Sequence, residues 1–170
     1  LGRPEAAVPV LERAHALAPD DRQLRSRLAE GLRVAGRLDE ARELLSGLIA
    51  DYGRRRSKDR AGAHLQLAKV VHALGETAEA VTQLELASNM DSGNPSILFT
   101  LAELAREDEQ LEKAERAYRA LLLQVRRGPA MVGTNHSIGS AEVLLELSRI
   151  AAKRGQADQA EELTESALEV

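Results

Sequence analysis

The chain has 170 residues, the length of one ordinary domain, and 29% of them are charged, with a formal net charge of −4. The negative net charge argues against a nucleic-acid partner, which would call for a basic excess. No run approaches the ~18 apolar residues of a membrane span, which argues against membrane insertion. The absence of cysteine excludes disulfides and thiolate chemistry, and it leaves the redox compartment open.

Internal repetition is the strongest signal along the chain, and it starts at the first residues. A glycine is followed five residues later by an alanine in four places: Gly2 and Ala7, Gly36 and Ala41, Gly75 and Ala80, Gly155 and Ala160. A further copy keeps Ala114 but has Glu109 at the glycine position. Successive alanines are 34, 39, 34 and 46 residues apart, which predicts a 34-residue unit with two longer junctions.

The segments on both sides of each glycine have the apolar period of α-helices. Before the glycine, apolar residues recur at i, i+4 and i+7, as in Leu28, Leu32 and Ala35; after it, a second series begins, for example at Ala41 and Leu45. Glycine suits the tight end of a first helix, and a small alanine suits the point where a second helix crosses it. The sequence therefore predicts successive pairs of antiparallel helices.

These residues resemble the tetratricopeptide repeat, whose motif has a small residue in the first helix, a turn glycine, alanines in the second helix and a closing proline. The first-helix pattern occurs four times, as Leu28-Ala29, Leu67-Ala68, Leu101-Ala102 and Leu147-Ser148. Pro19 is the one closing proline, and Tyr118 is the one aromatic motif position retained. The resemblance implies an all-α fold, a right-handed superhelical array (α-solenoid) of about four and a half helix pairs.

The boundaries within this single repeat domain follow from the same register. Residues 2–21 supply only the second helix of a first repeat. The remaining segments are repeats at 22–55, 61–94, 95–128 and 141–170, with insertions at 56–60 and 129–140. The chain does not start with methionine and neither end has an obvious polar capping helix, so we expect a fragment of a longer array. Uncapped ends also make a homo-oligomer, formed through the terminal repeats, an alternative function.

No motif of a catalytic, cofactor or metal site is present, and we expect neither an enzyme nor a cofactor. The segment 135–139 comes nearest to a nucleophile elbow, but it lacks the first glycine and the preceding strand, so a flexible inserted loop explains it better. His64 and His72 lie about 80° apart around a helix, so that one metal ion could not readily bridge them. His64 occupies a packing position and is expected to be a buried structural histidine.

The resemblance implies that the first helices line a concave groove that receives a protein or peptide. One row of groove positions is Ser26, Leu65, Phe99 and Leu145, in which the last three form an apolar strip. This strip either anchors a partner or packs between neighbouring first helices. The other groove positions are polar or charged: Arg27, Gln66, Lys69, Glu103, Arg149, and the basic flank Arg33, His72 and Arg106.

A third row of groove positions alternates in sign, and it comprises Glu30, Lys69, Glu103 and Arg149. The alternation favours a ladder of exposed salt bridges, each worth ~0–1 kcal/mol. Some family members clamp the terminal carboxylate of a peptide with lysine, arginine and asparagine. Because this row has no asparagine, recognition of that kind is not expected.

The first junction forms a basic edge that consists of Arg54, Arg55, Arg56, Lys58 and Arg60. Cations near the C-terminus of a helix interact favourably with the helix dipole, which explains some of them. Five cations in seven residues exceed that need, so we expect an acidic partner at this edge. The sequence as a whole predicts a protein-interaction scaffold whose partner and compartment are left open.

Overall fold

The computed structural model of the chain describes residues 7–133 and 135–170. The helices are α1 (Val8–Leu17), α2 (Arg22–Val34), α3 (Leu38–Asp51), α4 (Lys58–Ala73), α5 (Thr77–Met90), α6 (Pro95–Glu107), α7 (Leu111–Val125), α8 (Ser140–Lys153) and α9 (Ala157–Leu168). Two short strands, β1 (Ala130–Met131) and β2 (Ser137–Ile138), lie between α7 and α8. No helix in the described ranges has both the length and the apolar character needed to cross a membrane.

The chain divides into two compact units, which we describe separately. Unit 1 ends at Met90 and contains α1 to α5; unit 2 begins at Asp91 and contains α6 to α9 with the two strands. The predicted helix pairs are confirmed, since α2 pairs with α3 and α4 with α5, and in unit 2 α6 pairs with α7 and α8 with α9. Helix α1 falls within the predicted segment 2–21, of which residues 2–6, with Gly2, lie outside the described residues.

Each pair is joined by a three-residue turn whose middle residue has a positive φ. Gly36, Gly75 and Gly155 have φ angles of 78°, 86° and 75°, and Glu109 has 56° at the equivalent place. The amide after each of these residues donates to a carbonyl five residues earlier, for example Arg37 to Leu32 at 2.9 Å. This is the Schellman arrangement, which satisfies helix-end carbonyls and needs a left-handed residue.

The first helices of three pairs begin at a side-chain cap. Asp21 accepts from the backbone amides of α2, Ser57 from that of α4, and Asn94 from those of α6, at distances between 2.9 and 3.3 Å. These side chains satisfy amides that would otherwise have no partner at a helix start. Because α4 starts directly after its cap, residues 58–60 of the predicted insertion 56–60 are helical.

The second-helix alanines lie where the helices pack against each other. Ala41 and Ala80 in unit 1 and Ala114 in unit 2 are fully buried, whereas Ala160 is half-buried. Ala7 is exposed, since no helix precedes α1 within the described residues. The absence of a larger side chain at the buried positions lets the paired helices approach closely.

The second insertion differs from the flexible loop expected from the sequence. Its strands pair antiparallel, with Ala130 opposite Ile138 and Met131 opposite Ser137. Val132 and Ile138 are only 5% and 2% exposed, so these two side chains bury apolar surface in unit 2. That burial gives the insertion a reason to fold, because an isolated two-stranded hairpin is marginal in water.

Candidate functional site

Unit 1 contains an open groove that is lined by α2, α4 and the end of α3, which we call the α2–α4 groove. Its volume is about 650 Å³. Six groove positions expected from the sequence meet there: Ser26, Arg27, Glu30, Leu65, Gln66 and Lys69. The other lining residues are Arg22, Gln23, Leu48, Tyr52, Lys58, Asp59, Gly62 and Ala63.

Specific side-chain contacts hold the walls of this groove in place. Across the groove, Ser26 Oγ on α2 donates to Gln66 Oε1 on α4 at 2.9 Å. Next to the end of α3, the guanidinium of Arg22 lies 4.6 Å from the centre of the Tyr52 ring and donates to the Asp51 carbonyl. A cation stacked on an aromatic ring is held in one orientation, so part of the positive charge is positioned before any partner arrives.

The charged side chains that line the groove are four cations and two carboxylates. One carboxylate, Glu30, is already engaged by Arg33, with nitrogen–oxygen distances of 2.7 and 2.9 Å. The hydrogen bonds from Arg33 and the nearby charge of Lys69 lower the pKa of Glu30, although burial acts in the opposite direction. The groove therefore keeps an excess of positive charge near neutral pH.

The charges of the third row differ from the predicted ladder between neighbouring repeats, since their ion pairs run mainly within single helices. Glu30 pairs with Arg33, and in unit 2 the side chain of Arg106 pairs with Glu103, each at i,i+3 spacing. Arg149 pairs in the same way with the preceding turn of α8. Lys69 lies close enough to Glu30 to lower the pKa of that carboxyl, but the hydrogen bonds come from Arg33.

Glu103 in unit 2 also accepts a hydrogen bond from the hydroxyl of Tyr118. The Tyr118 side chain is fully buried, and this burial, together with the negative charge of Glu103, raises the pKa of its hydroxyl. The hydroxyl therefore stays protonated and donates at all ordinary pH values. This contact explains the one aromatic motif position that the chain retains.

Phe99 and Leu145, the unit 2 members of the predicted apolar strip, lie on α6 and α8. Phe99 is half-buried, and its ring meets the His136 ring edge-to-face with centroids 5.2 Å apart. Leu145 is 38% exposed. The contact between Phe99 and the inserted hairpin could not be read from the sequence, because residue spacing does not show where an insertion folds back.

The basic edge merges with the α2–α4 groove through Lys58, which belongs to both. Arg54, Arg55 and Lys58 are exposed, and Arg60 is half-buried. Arg56 donates to the carbonyl of Asn89. Sequence reasoning placed this edge apart from the groove and overlooked Arg22 and Tyr52, because their stacking depends on how the end of α3 meets the start of α2.

The histidines and carboxylates of the described residues do not come together as the ligands of a metal ion. No group of three potential ligands (histidine, cysteine, aspartate or glutamate) comes together among residues 7–133 and 135–170. His64 is 4% exposed, and its Nδ1 lies 2.8 Å from Gln83 Oε1. Burial lowers its pKa, against a smaller effect of that hydrogen bond. The expectation of a buried structural histidine is confirmed.

Two family models, both described as tetratricopeptide repeat, match this sequence. One matches residues 1–56, and the other matches residues 61–85 and 141–166, so that together they cover more than half of the chain. The chain belongs to the tetratricopeptide repeat family. Its members are typically non-enzymatic scaffolds for protein interactions, and as such an array the chain is a protein-interaction scaffold.

Solved structures share this fold at low sequence identity. MamA from Desulfovibrio magneticus RS-1 is 15% identical, with 99% of this chain and 85% of that chain covered and a TM-score of 0.75. A kinesin light chain with nearly identical TPR-like repeats from Podosopora anserina is 23% identical, with 96% and 85% covered and a TM-score of 0.73.

YrrB, a TPR protein with an unusual peptide-binding site, is 15% identical, with 98% and 77% covered and a TM-score of 0.68. A comparison with curated proteins gave no match. At such identities the structural likeness confirms the fold class alone, an all-α solenoid of helix pairs.

Proposed function

We propose that this scaffold binds an acidic segment of a partner protein in the α2–α4 groove. The observation that carries the proposal is an open groove of about 650 Å³ lined by four cations and two carboxylates, one of which is paired with Arg33. Opposite charge steers the encounter and favours one kind of partner over others. The structural neighbour YrrB has a peptide-binding site, which supports a peptide as the form of the ligand.

The groove also offers groups that would hold the rest of such a segment. Gln23 and Gln66 carry amides that can donate to and accept from a peptide backbone, and Leu65 and Tyr52 provide apolar surface. The asparagine of a carboxylate clamp is absent from the expected row, so we expect acidic side chains rather than a free C-terminus to be recognised.

A peptide array tests this proposal, with twelve-residue peptides that vary in acidic content and have either a free or an amidated C-terminus. The test variant is Arg27→Glu with Lys58→Glu, two exposed groove cations. Glu at position 58 suits the N-terminal end of α4, so this variant should fold. We expect it to bind acidic peptides at least about tenfold more weakly, as reversal of charges at a complementary interface does.

The matched control is Arg13→Glu with Arg116→Glu, which changes the net charge equally at exposed positions outside the groove. It should keep nearly the affinity of the original chain. Equal losses in both variants would mean that net charge, and not the groove, attracts the peptides. Binding that does not depend on acidic content would contradict the proposal directly.

In unit 2, we propose that Phe99 and Leu145 supply an apolar anchor for the same class of partner. Phe99→Ala should weaken the binding of a peptide selected on the array by more than about 1 kcal/mol, as truncation of an aromatic anchor does. His136→Ala removes the ring that packs on Phe99 and is the companion variant. If Phe99→Ala leaves the affinity unchanged, these residues serve packing within unit 2.

The basic edge extends the proposed acidic-segment site beyond the groove. Changing Arg54, Arg55 and Arg56 to Ser removes three exposed cations, one of which, Arg56, contacts a backbone carbonyl. We expect weaker binding of acidic peptides and a smaller dependence of the affinity on salt. Unchanged affinity and salt dependence would remove this edge from the site.

A second candidate function is self-association through the terminal repeats. Exposed apolar side chains in the first and last described helices favour it, since Leu17 and Leu168 are 89% and 83% exposed. Association through such surfaces should persist at high salt, because apolar burial is not screened. A monomeric mass in light scattering at high protein concentration would count against it.

A further inference from the structure

Helix α9 in unit 2 carries a continuous acidic face. Asp158, Glu161, Glu162 and Glu165 follow one another at i, i+3, i+4 and i+7, the spacing that places side chains on one side of a helix. All four are exposed. Residues 155–170 contain five carboxylates and no Lys or Arg, more negative charge than the net −4 of the whole chain. The excess of negative over positive charge in this chain therefore lies in residues 155–170, which include α9.

This acidic face is electrostatically unfavourable for the helix that carries it. Carboxylates at i,i+4 repel each other, and Glu165 lies in the last turn, where the helix dipole disfavours negative charge. In the part of the chain that the structure describes, none of the four has a basic side chain within ion-pair distance. A cationic surface that docks on this face would remove the repulsion as well as gain attraction.

The opposite side of α9 is occupied by packing within unit 2. Ala167 is 8% exposed, and the backbone carbonyl of Ala160 accepts a hydrogen bond from Ser148 on α8 at 2.8 Å. The acidic face can therefore meet a partner without any rearrangement of the α8–α9 pair. It is a rigid helical surface and not an extended tail.

We propose that the acidic face of α9 in one copy docks in the α2–α4 groove of a second copy. This inference rests on the proposed function of the groove and names its occupant. Four cations line the groove, and four carboxylates line the α9 face. With 12 residues, α9 is about 18 Å long, and the part of α4 that lines the groove, from Lys58 to Lys69, is equally long, so the helix matches this wall of the groove in length.

The two surfaces belong to different parts of the chain, so each copy can both offer one contact and receive one. Each copy that offers its α9 face leaves its own groove open for another copy. Such contacts can build a reciprocal two-fold dimer, a larger ring or an open chain. The mass of the assembly should therefore rise with protein concentration, and it should fall when salt screens the charges.

The experiment uses two variants of the 170-residue chain that each lose one of the two surfaces. The groove variant is Arg27→Glu with Lys58→Glu, and the helix variant is Glu161→Gln with Glu165→Gln. The loss of two carboxylates relieves repulsion on this face and removes a negative charge from the last turn of α9, so the helix variant should fold at least as well as the original chain. Circular dichroism and the thermal midpoint confirm folding before either variant is used.

Sedimentation velocity of the original chain should show self-association at about 0.1 M salt, where the Debye length is about 10 Å, and mostly monomer at about 1 M salt, where it is about 3 Å. Each variant alone should associate at least tenfold more weakly. An equimolar mixture retains one intact contact, the α9 face of the groove variant with the groove of the helix variant. This mixture should form a species of two chains of 18.4 kDa each and nothing larger.

Several outcomes would overturn the inference. These are a monomeric original chain at every concentration, self-association that survives high salt, or a mixture that forms no two-chain species. If the original chain is monomeric but the groove variant loses acidic peptides on the array, the proposed function of the groove stands and only its occupant is wrong. If the array also shows no preference for acidic peptides, both proposals fail.

Discussion

Glu109 adopts the left-handed backbone conformation that three equivalent turns assign to glycine. Its φ is 56°, and the following amide, of Gln110, donates to the Ala105 carbonyl at 2.8 Å. The turn thus makes its full set of hydrogen bonds, although the Cβ atom of Glu109 makes the left-handed conformation unfavourable for this residue. The Glu109 side chain is exposed, so its removal should cost little. We therefore predict that Glu109→Gly stabilises the protein.

The size of the effect follows from two opposing terms. A left-handed conformation costs a residue with a Cβ atom about 1–2 kcal/mol, and glycine avoids this cost. Glycine in turn loses about 0.5–1 kcal/mol more conformational entropy on folding. The net gain in the free energy of unfolding is about 0.5–1 kcal/mol, which for 150–250 residues corresponds to a rise of about 1–4 °C in Tm.

Urea denaturation followed by circular dichroism measures this gain, with Glu109→Ala as the matched control. Alanine removes the same side chain but keeps the Cβ atom, so it should leave the stability nearly unchanged. Gly75→Ala tests the reverse change at an equivalent turn, where φ is 86°, and should destabilise by about 1 kcal/mol. If Glu109→Gly is no more stable than Glu109→Ala, backbone strain at this turn is not the explanation.

Three further predictions concern buried side chains. Ala80→Leu should lower the free energy of unfolding by about 1–3 kcal/mol, because a larger side chain overpacks a fully buried helix crossing. Ala78→Leu, at an exposed position of the same helix, should have almost no effect in the same denaturation assay. Tyr118→Phe should lower the free energy of unfolding by about 1.5–3 kcal/mol, because it removes a hydrogen bond to the charged Glu103. An unchanged urea midpoint would contradict this. The pKa of His64 is lower in the folded than in the unfolded chain, so the unfolded chain binds more protons, and stability should fall as the pH drops below about 6.5. Denaturation at several pH values should show a smaller fall for His64→Gln, and an identical pH profile would refute the assignment.

Much of the local structure could be predicted because it depends on residues close in sequence. The spacing of Leu28 and Leu32 gives the apolar face of α2, and both side chains are buried as expected. The glycine at 75 predicts a tight helix end because only a few residues decide whether that turn forms. Even the exception at Glu109 was recognisable as a break in the repeat, although its adoption of the glycine conformation was not.

Of the candidate site, only the helix faces that line it could be predicted from the sequence. The register places Ser26, Arg27 and Gln66 on first helices that line a groove, and the structure brings these three together in unit 1. The stacking of Arg22 on Tyr52 joins residues thirty positions apart, and no local pattern marks such a pair. The contact of His136 with Phe99 was equally unpredictable, because His136 lies in an insertion and the repeat pattern does not indicate where an insertion packs.

The sequence by itself determined the repeat, the helix pairs, the turns and the absence of a recognisable catalytic motif. Those features follow from helical period, backbone freedom and side-chain size, which act over a few residues. Only the tertiary structure decided which charges share a groove, which ones are paired within their own helix and which, as on α9, have no cation beside them among the described residues. Electrostatic and ring contacts depend on distances between segments far apart in the chain, and packing sets those distances.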